Sequence, residues 1–360
     1  MTTQDILNKY YNSEYLSLID GIDIYNNLPL ADLLYVANEI RQKLHPDNIV
    51  TWQIDRNVNI SNVCFVQCTF CNFCRKANNN DAYVTTIEEY RKKIKELFEL
   101  GGDQLLLQGG MNSKLGLDFY TDLFKTLKQE FPQLKLHALG PPEVAYLAKK
   151  ENKSFTEVLE ILVNSGLDSL PGAGAEILSN RVRTELSKGK CTVEEWLDVM
   201  RIAHKMRLYT SATMMFGHIE TIEERIQHLI YIRDIQSEKP KNVPGFNAFI
   251  PWPVQLTDTK LGAKKVILPV SNTEYLRMLA ISRIMLPNVP NIQASWLTVG
   301  KNTAQLALHG GANDLGSIMI EENVVSAAGA NYSLNADGMK TLIEGAGFIP
   351  KQRNQRYEFV

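Results

Sequence analysis

Short apolar runs alternate with amphipathic helical patterns along most of the chain. Eight of the runs have the length and composition of buried β-strands, and several of them end in Gly, Pro or polar residues. The predicted strands cover residues 58–63, 104–107, 134–139, 168–170, 210–216, 246–250, 292–297 and 314–320.

The segments between these strands carry helix start signals. A Ser or Thr followed three residues later by Glu predicts a capping box, in which two side chains satisfy free backbone N–H groups. This spacing occurs at Thr86/Glu89, Ser154/Glu157, Thr192/Glu195, Thr221/Glu224 and Ser271/Glu274. Apolar residues then recur at helical spacing, as at 87–98 and 196–203. Each such stripe is expected to pack on a sheet.

Eight strands that alternate with helices predict an α/β fold, a (β/α)8 TIM-type barrel. An open, doubly wound sheet is the alternative. We expect a helical segment over residues 1–48, the barrel over 49–330, and a final helix and tail over 331–360. The barrel matters for function because its chemistry lies on loops at the carboxyl ends of the strands.

Charge and composition exclude several functional classes. The 360 residues include 38 Lys and Arg against 40 Asp and Glu, so no basic surface for nucleic acid or membrane is expected. Residues 1–15 lack the basic start and apolar stretch of a signal peptide, and no apolar run is long enough to cross a bilayer. We therefore expect a cytoplasmic protein.

Four of the five cysteines lie within residues 64–74, directly after the first predicted strand. Cys64, Cys68 and Cys71 are separated by three and then two residues, a spacing that can wrap one [4Fe–4S] cluster. Each thiolate would bind one iron, and the fourth iron would stay open for S-adenosyl-L-methionine (SAM). Cys74 is a fourth thiol beside this set, and Cys191 is predicted to be structural.

Two other metal sites compete with this interpretation. One is a structural zinc site that uses Cys74 as the fourth ligand, although such sites usually combine two separated ligand pairs. The other is a fully ligated ferredoxin-type cluster, whose spacing runs two, two and three residues before a Pro. The order of spacings here is different, and no Pro follows.

The three-cysteine loop, with Phe70 before its last cysteine, resembles the radical SAM superfamily. Segments 55–59, 108–110 and 171–176 are similar to one subgroup, which contains aminofutalosine synthases, cyclic dehypoxanthine futalosine synthases and deazaflavin-forming FO synthases. Further segments favour the second of these families. They are 137–143, 214–220, 249–253, 293–296 and 321–325, so that the resemblance runs from about residue 50 to about residue 330.

The resemblance implies an oxidoreductase of menaquinone biosynthesis that acts on dehypoxanthine futalosine. A deoxyadenosyl radical would take hydrogen from the 4′ carbon of the ribose, and the new radical would add to the benzoate ring. A donor such as flavodoxin or ferredoxin would reduce the cluster. The alternatives are a sister radical SAM enzyme, either an aminofutalosine synthase or an FO synthase component, and a zinc-stabilised barrel without catalytic activity.

The resemblance also implies which residues bind SAM. Phe70 is expected to contact the adenine, and the segment Gln108-Gly109-Gly110 is expected to hold the methionine amine, where glycine permits close backbone approach. Glu176 is expected to accept hydrogen bonds from the ribose hydroxyls or the amine. Arg181 or Arg183 would pair with the SAM carboxylate, and we assign this role to Arg181.

A ring proton must leave after radical addition, so the reaction calls for a general base. His218 and Glu220 follow the fifth predicted strand, and we expect one of them to take this role.

The ends of the last three predicted strands carry candidate substrate contacts. Trp252 and Trp296 are expected to line the wall around an aryl-ribose ligand, with packing between strand and helix as the alternative. Gln293 and Ser295 would add polar contacts. In the Glu321-Glu322 pair one carboxylate would contact sugar hydroxyls and the other would cap a helix, and we assign the contact to Glu321.

Overall fold

The computed structural model describes residues 1–264, 267–330 and 332–360. Residue 331, the first residue of the predicted C-terminal segment, lies outside the described residues.

Within this part of the chain, eight parallel strands form a closed barrel. Seven of them are hydrogen-bonded in sequence order, β2 to β8. The barrel closes through β9, because Gln293 bridges to Asp314 on one side and Arg56 bridges to Ile320 on the other. The barrel strands are β2 (Asp55–Asn59), β3 (Gln104–Gln108), β4 (Lys135–Ala138), β5 (Ser169–Leu170), β6 (Tyr209–Phe216), β7 (Gly245–Pro253), β8 (Asn291–Ile292) and β9 (Asp314–Ser317). The predicted (β/α)8 barrel is confirmed.

The first and the seventh predicted strands differ most in extent from the observed ones. The first ends at Asn59 because residues 60–63 leave the ladder and begin the cysteine loop. The seventh is only two residues long because residues 296–299 turn into a short helix. After the seventh strand the chain continues with Ala294, Trp296 and Leu297, which line the cavity, so hydrophobicity alone could not mark where that strand ends.

A second, smaller sheet was not predicted. Strand β1 (Ile49–Gln53) pairs in parallel with β9 and with a C-terminal strand, β10 (Ile349–Gln352). Strand β1 leads into β2 after one residue, whereas the first strand was predicted to begin only at residue 58. This pairing fastens the C-terminal tail to the start of the barrel.

Helices surround the barrel and precede it. Three N-terminal helices are α1 (Thr3–Tyr11), α2 (Leu18–Asn27) and α3 (Leu30–Leu44). The others are α4 (Ile87–Glu99), α5 (Leu117–Glu130), α6 (Pro141–Glu151), α7 (Phe155–Asn164), α8 (Asn180–Leu186), α9 (Val193–Lys205), α10 (Ile222–Glu238), α11 (Asn272–Met285), α12 (Trp296–Val299), α13 (Lys301–Leu308) and α14 (Ala336–Gly345). Short 3-10 turns occupy Gly262–Lys264 and Ser326–Ala328. None of the helices in the described ranges is long and apolar enough to span a membrane.

Four of the five predicted capping boxes form in full, at the starts of α4, α7, α9 and α10. At α11 only half of the box forms. Ser271 accepts a hydrogen bond from the Glu274 backbone at 3.1 Å, while the Glu274 carboxylate instead pairs with Arg225 at 2.5 Å. The stronger charged partner takes the carboxylate away from the cap.

The predicted helical stripes face the barrel. Tyr90, Ile94 and Leu97 of α4 are completely buried, as are Trp196 and Val199 of α9. Burial of apolar side chains at this spacing is what fixes each helix against its strand. The core therefore lies between the barrel and its ring of helices, and the interior of the barrel is left for the cavity described next.

Candidate active site

A cavity of about 390 Å³ runs through the barrel, from the cysteine loop to the C-terminal tail. It is lined by residues from the carboxyl ends of the strands, which is where barrel enzymes carry their chemistry. The candidate cofactor residues that line it are Cys64, Cys68, Cys71, Phe70, Gln108, Gly109, Gly110 and Glu176. The candidate substrate contacts that line it are Trp252, Gln293, Ser295 and Trp296.

Backbone hydrogen bonds hold the cysteine loop at the mouth of the cavity. The Cys64 N–H donates to the Arg75 carbonyl at 3.0 Å, and the Cys71 N–H donates to the Cys68 carbonyl at 3.1 Å. The Thr69 N–H donates to Leu186 at 2.8 Å, which ties the loop to the far side of the barrel. The three cysteines therefore lie on a loop that backbone hydrogen bonds hold in place.

The four clustered thiols differ in exposure. Cys68 is buried, whereas Cys64, Cys71 and Cys74 are partly exposed, and all four line the cavity. Among residues 1–264, 267–330 and 332–360, no group of three or more His, Cys, Asp or Glu side chains is placed to hold a single metal ion. The donor set fits a cluster that needs separate thiolates better than it fits a structural zinc site.

Gly110 packs closely against the cysteine loop, whereas the contact with the SAM amine expected for its segment stays a prediction. A Cβ atom at this position would lie 2.3 Å from the Val63 carbonyl oxygen and 2.9 Å from Cys64 Cβ. Its N–H donates to the Ser61 carbonyl at 2.6 Å. Only glycine lets the end of β3 pack directly beneath the start of the cysteine loop.

Glu176 lies in the cavity wall and is paired with a lysine that the sequence did not indicate. Lys190 Nζ is 2.6 Å from Glu176 Oε1, and both side chains are largely buried. Burial alone would raise the pKa of Glu176, but the charge of Lys190 and its hydrogen bond outweigh burial and lower that pKa. Lys190 also lies 5.7 Å from the centre of the Phe70 ring, so it places a positive charge beside the cysteine loop.

The structure does not bring either candidate arginine into the cavity. Arg181 is half-exposed and pairs with Glu224 at 2.6 Å and with Glu185 at 3.4 Å. Arg183 is buried, but its guanidinium donates to the backbone carbonyls of Gly174, Ala175 and Cys191 at 2.6–3.0 Å. Arg183 thus shapes the loop that carries Glu176, and Lys190 is the cation that lines the cavity there.

His218 and Glu220 also lie outside the cavity. Gly217, with φ of 90°, turns the chain at the end of β6, so that both side chains become fully buried behind it. Glu220 accepts hydrogen bonds from the backbone N–H groups of Gly217 at 2.6 Å and His218 at 2.9 Å, and it pairs with Arg225 at 2.7 Å. The pair braces a turn, and it has no access to a bound substrate.

The residues expected to contact the substrate differ in whether they face the cavity or are held in the protein behind it. Trp252 is partly exposed, whereas Trp296 is 2% exposed and its indole N–H donates to the Ser317 carbonyl at 3.1 Å. Glu321 points away from the cavity, toward Arg56 at 2.8 Å and Lys93. Its neighbour Glu322 lines the cavity instead.

The C-terminal tail closes the opposite end of the barrel. Arg353 forms a bidentate pair with Asp314 at 2.6 and 2.9 Å, and both side chains are almost completely buried. Gln355 then accepts hydrogen bonds from Gln104 at 3.2 Å and Asn247 at 3.3 Å, near the amino ends of β3 and β7. The cavity therefore has a polar floor that the tail completes.

Four charged residues that line the cavity were not identified from the sequence: Asp55, Glu143, Lys190 and Arg353. Lys190 lies in the connection between α8 and α9, where no motif or spacing marked it. Glu143 lies in the first turn of α6 and lines the cavity beside that connection. Glu143 lies within residues 137–143, which were used only for the resemblance to a family. No motif or spacing in the sequence marked its side chain as functional.

Two family models match the chain. The radical SAM superfamily model matches residues 58–232, and the CofH/MqnC C-terminal region matches residues 243–360. The first match covers the cysteine loop and the first five barrel strands, β2 to β6, except the start of β2. The second covers the substrate wall and the tail that forms the floor.

Curated relatives align along nearly the whole chain. The chain is 41% identical to the cyclic dehypoxanthine futalosine synthase of Halalkalibacterium halodurans over 100% of this chain and 95% of the relative. It is 39% identical to the enzyme of the same name from Streptomyces coelicolor, over 99% and 88%. It is 38% identical to the 5-amino-6-(D-ribitylamino)uracil–L-tyrosine 4-hydroxyphenyl transferase 1 of Methanosarcina acetivorans, over 92% and 88%.

Solved structures share the same architecture at low identity. Methylornithine synthase superposes with a TM-score of 0.70 and 18% identity, over 97% of this chain and 98% of that one. This likeness concerns the fold, in which the N-terminal helices, barrel and C-terminal segment all have counterparts.

Proposed function

The chain belongs to the radical SAM superfamily, and we propose that it is the member that cyclises dehypoxanthine futalosine in menaquinone biosynthesis. The full-length similarity to two cyclic dehypoxanthine futalosine synthases carries this proposal. A radical SAM enzyme implies a [4Fe–4S] cluster and SAM, and the residues at the mouth of the cavity fit both.

We assign the cluster to Cys64, Cys68 and Cys71. When bound, the cluster and SAM supply a 5′-deoxyadenosyl radical, and a donor such as flavodoxin or ferredoxin supplies the electron. The braced loop fixes the three thiols, and Lys190 offsets negative charge beside them. Phe70 and Glu176 lie on the same part of the wall, where they would orient the adenine and the ribose or amine of SAM.

The substrate would occupy the deeper part of the cavity. The indole of Trp252 offers an apolar surface to the benzoate ring, and Gln293 and Ser295 offer polar contacts to the ribose. Holding the ribose and the ring in one closed site favours intramolecular addition, because the two reacting carbons are kept close. The closed floor also keeps bulk water away from the radical.

The second candidate is the transferase reaction for which the third relative is named, since its identity to this chain is only slightly lower. That reaction joins two separate substrates, whereas the cyclisation needs only one beside SAM.

An anaerobic assay separates the two. Reconstituted, reduced protein receives SAM with dehypoxanthine futalosine, or SAM with tyrosine and 5-amino-6-(D-ribitylamino)uracil. The expected result is deoxyadenosine together with a futalosine-derived product two hydrogens lighter. Product from the second mixture alone would refute the cyclase assignment in favour of the transferase.

A further inference from the structure

The carboxylates that line the cavity differ in what holds them. Asp55 accepts hydrogen bonds from two amide side chains, Glu176 pairs with a lysine, and Glu322 accepts three backbone N–H groups. Within the described part of the chain, no side chain donates a hydrogen bond to the carboxylate of Glu143. Among the described residues, Glu143 and Glu322 are the two of these carboxylates without a side-chain partner, and Glu322 is already held by its three backbone N–H groups.

The position of Glu143 suits contact with a ligand. It lies in the first turn of α6, directly after the carboxyl end of β4, and its side chain is partly accessible from the cavity. A Cβ atom on Gly140 would lie 3.2 Å from Glu143 Oε2 and 3.2 Å from Ala173 Cβ, so the carboxylate bends back over the helix start toward the loop after β5. That loop carries Glu176, the candidate SAM contact.

The proposed cyclisation needs a group in the cavity that accepts a proton. Radical addition to the benzoate ring produces a ring radical that must lose one proton and one electron to become aromatic again. The bound cluster, in its oxidised state, would supply the electron acceptor, and the C–H bond at the attacked ring carbon breaks as its proton leaves. The two groups that the sequence suggested for this proton, His218 and Glu220, are buried away from the cavity.

We propose that Glu143 is the general base of the cyclisation and accepts the ring proton in its carboxylate. The inference rests on the proposed function, because the proton exists only in that reaction.

The charges around Glu143 support this role. Burial raises the pKa of Glu143 to about 7, while Lys190 lowers it and Glu176 raises it again. Tyr120 of α5 and Cys191 also face it closely enough for its charge to act on them. A carboxylate whose pKa is near 7 is a stronger base than an ordinary glutamate. It is also still deprotonated in a large fraction of molecules near neutral pH, and efficient proton transfer needs both properties.

The test uses Glu143→Gln, which keeps the shape of the side chain and removes its basicity. Reconstituted holoenzyme receives SAM and dehypoxanthine futalosine, and deoxyadenosine and cyclised product are measured between pH 6 and pH 9. We expect deoxyadenosine formation within threefold of the native rate and cyclised product at least about 100-fold lower. The native enzyme should gain rate as pH rises through about 7, and the variant should lack this dependence.

Glu160→Gln, on an exposed position of α7, is the matched control and should behave as the native protein. Cyclised product at the native rate from Glu143→Gln would overturn the proposal. So would an equal loss of deoxyadenosine and product together with weaker SAM binding, because Glu143 would then be a SAM contact.

If Glu143→Gln fails to load the cluster, Glu143→Asp decides the question. The rate of cyclisation by this variant is measured against pH and compared with that of the native enzyme. A shift of the low-pH limb supports the proposal, and a profile identical to the native one overturns it. Failure of the proposed function is distinct from these outcomes, because then the native protein itself would give no cyclised product.

Discussion

The Nδ1 atom of His218 lies 2.7 Å from Glu220 Oε2, and both side chains are completely buried. This pair stabilises the turn at the end of β6 and does not face the cavity. Burial would raise the pKa of Glu220, but the hydrogen bond to His218, the charges of His218 and Arg225 and a backbone N–H outweigh it and lower the pKa to about 2.

The first prediction is that Glu220 makes folding sensitive to acid. A carboxyl group whose pKa is lowered in the folded state stabilises the protein above its unfolded pKa, near 4.5, and loses that contribution as pH falls toward 2. We expect Glu220→Gln to reduce the free energy of unfolding by roughly 3 kcal/mol at pH 6, with the deficit shrinking toward pH 3. Urea unfolding at both pH values, with Glu160→Gln as control, measures this. An equal deficit at pH 6 and pH 3 would contradict the ionic origin.

The second prediction concerns the four clustered thiols. Replacing Cys64, Cys68 or Cys71 singly by Ala should abolish deoxyadenosine formation and most bound iron, because each thiolate would hold one iron of the proposed cluster. Cys74→Ala should retain both. Iron and sulfide per chain after anaerobic reconstitution, together with SAM cleavage, provide the measurement. If Cys74→Ala loses iron to the same degree as the other three, Cys74 is a ligand and the three-cysteine assignment is wrong.

The third prediction concerns the buried pair of Lys190 and Glu176, whose atoms lie 2.6 Å apart. Lys190→Met leaves the carboxylate buried without its cation, and we expect a loss of about 3 kcal/mol in the free energy of unfolding. The double variant with Glu176→Gln should recover part of this loss, because no unpaired charge then remains. Chemical denaturation of the two variants tests the coupling, and strictly additive effects would show that the pair does not interact.

The fourth prediction separates the two tryptophans of the substrate wall. Trp296 is buried and hydrogen-bonded, so Trp296→Leu should lower the free energy of unfolding by about 3 kcal/mol. Trp252 is partly exposed and lines the cavity, so Trp252→Leu should leave stability within about 1 kcal/mol and raise KM for the substrate. Thermal unfolding and steady-state kinetics measure the two effects. A substrate KM that Trp252→Leu does not change would remove Trp252 from the binding wall.

The sequence predicted the barrel well because its signals are local. Apolar runs and capping pairs such as Thr86 and Glu89 depend on residues close in the chain, and the structure confirms them. Gly110 is fixed as glycine by its close packing against the start of the cysteine loop. The cluster ligation expected of that loop stays a prediction. The small sheet was missed because β1 and β10 pair across about 300 residues, a relationship that no local pattern contains.

Side-chain direction explains the errors at the site. His218 and Glu220 stand at the end of a barrel strand, yet the left-handed turn at Gly217 directs both of them away from the cavity. Arg181 is held outside by Glu224, which is 43 residues away in sequence. Arg56 and Lys93 hold Glu321 away from the cavity, while Glu322 lines the cavity and accepts three backbone N–H groups at the start of the Ser326–Ala328 turn. A distant partner decides the direction of Arg181 and Glu321, whereas the neighbouring turn at Gly217 decides that of His218 and Glu220.

The tail that completes the floor has a kinetic consequence. Among the described residues, Arg353 and Gln355 close the amino end of the barrel, so we expect both ligands to enter past the mouth where the cysteine loop lies. Two molecules that pass the same mouth into a narrow chamber cannot exchange independently. We therefore expect the one that lies deeper to arrive first and depart last, an order of binding and release that follows from the topology of the barrel.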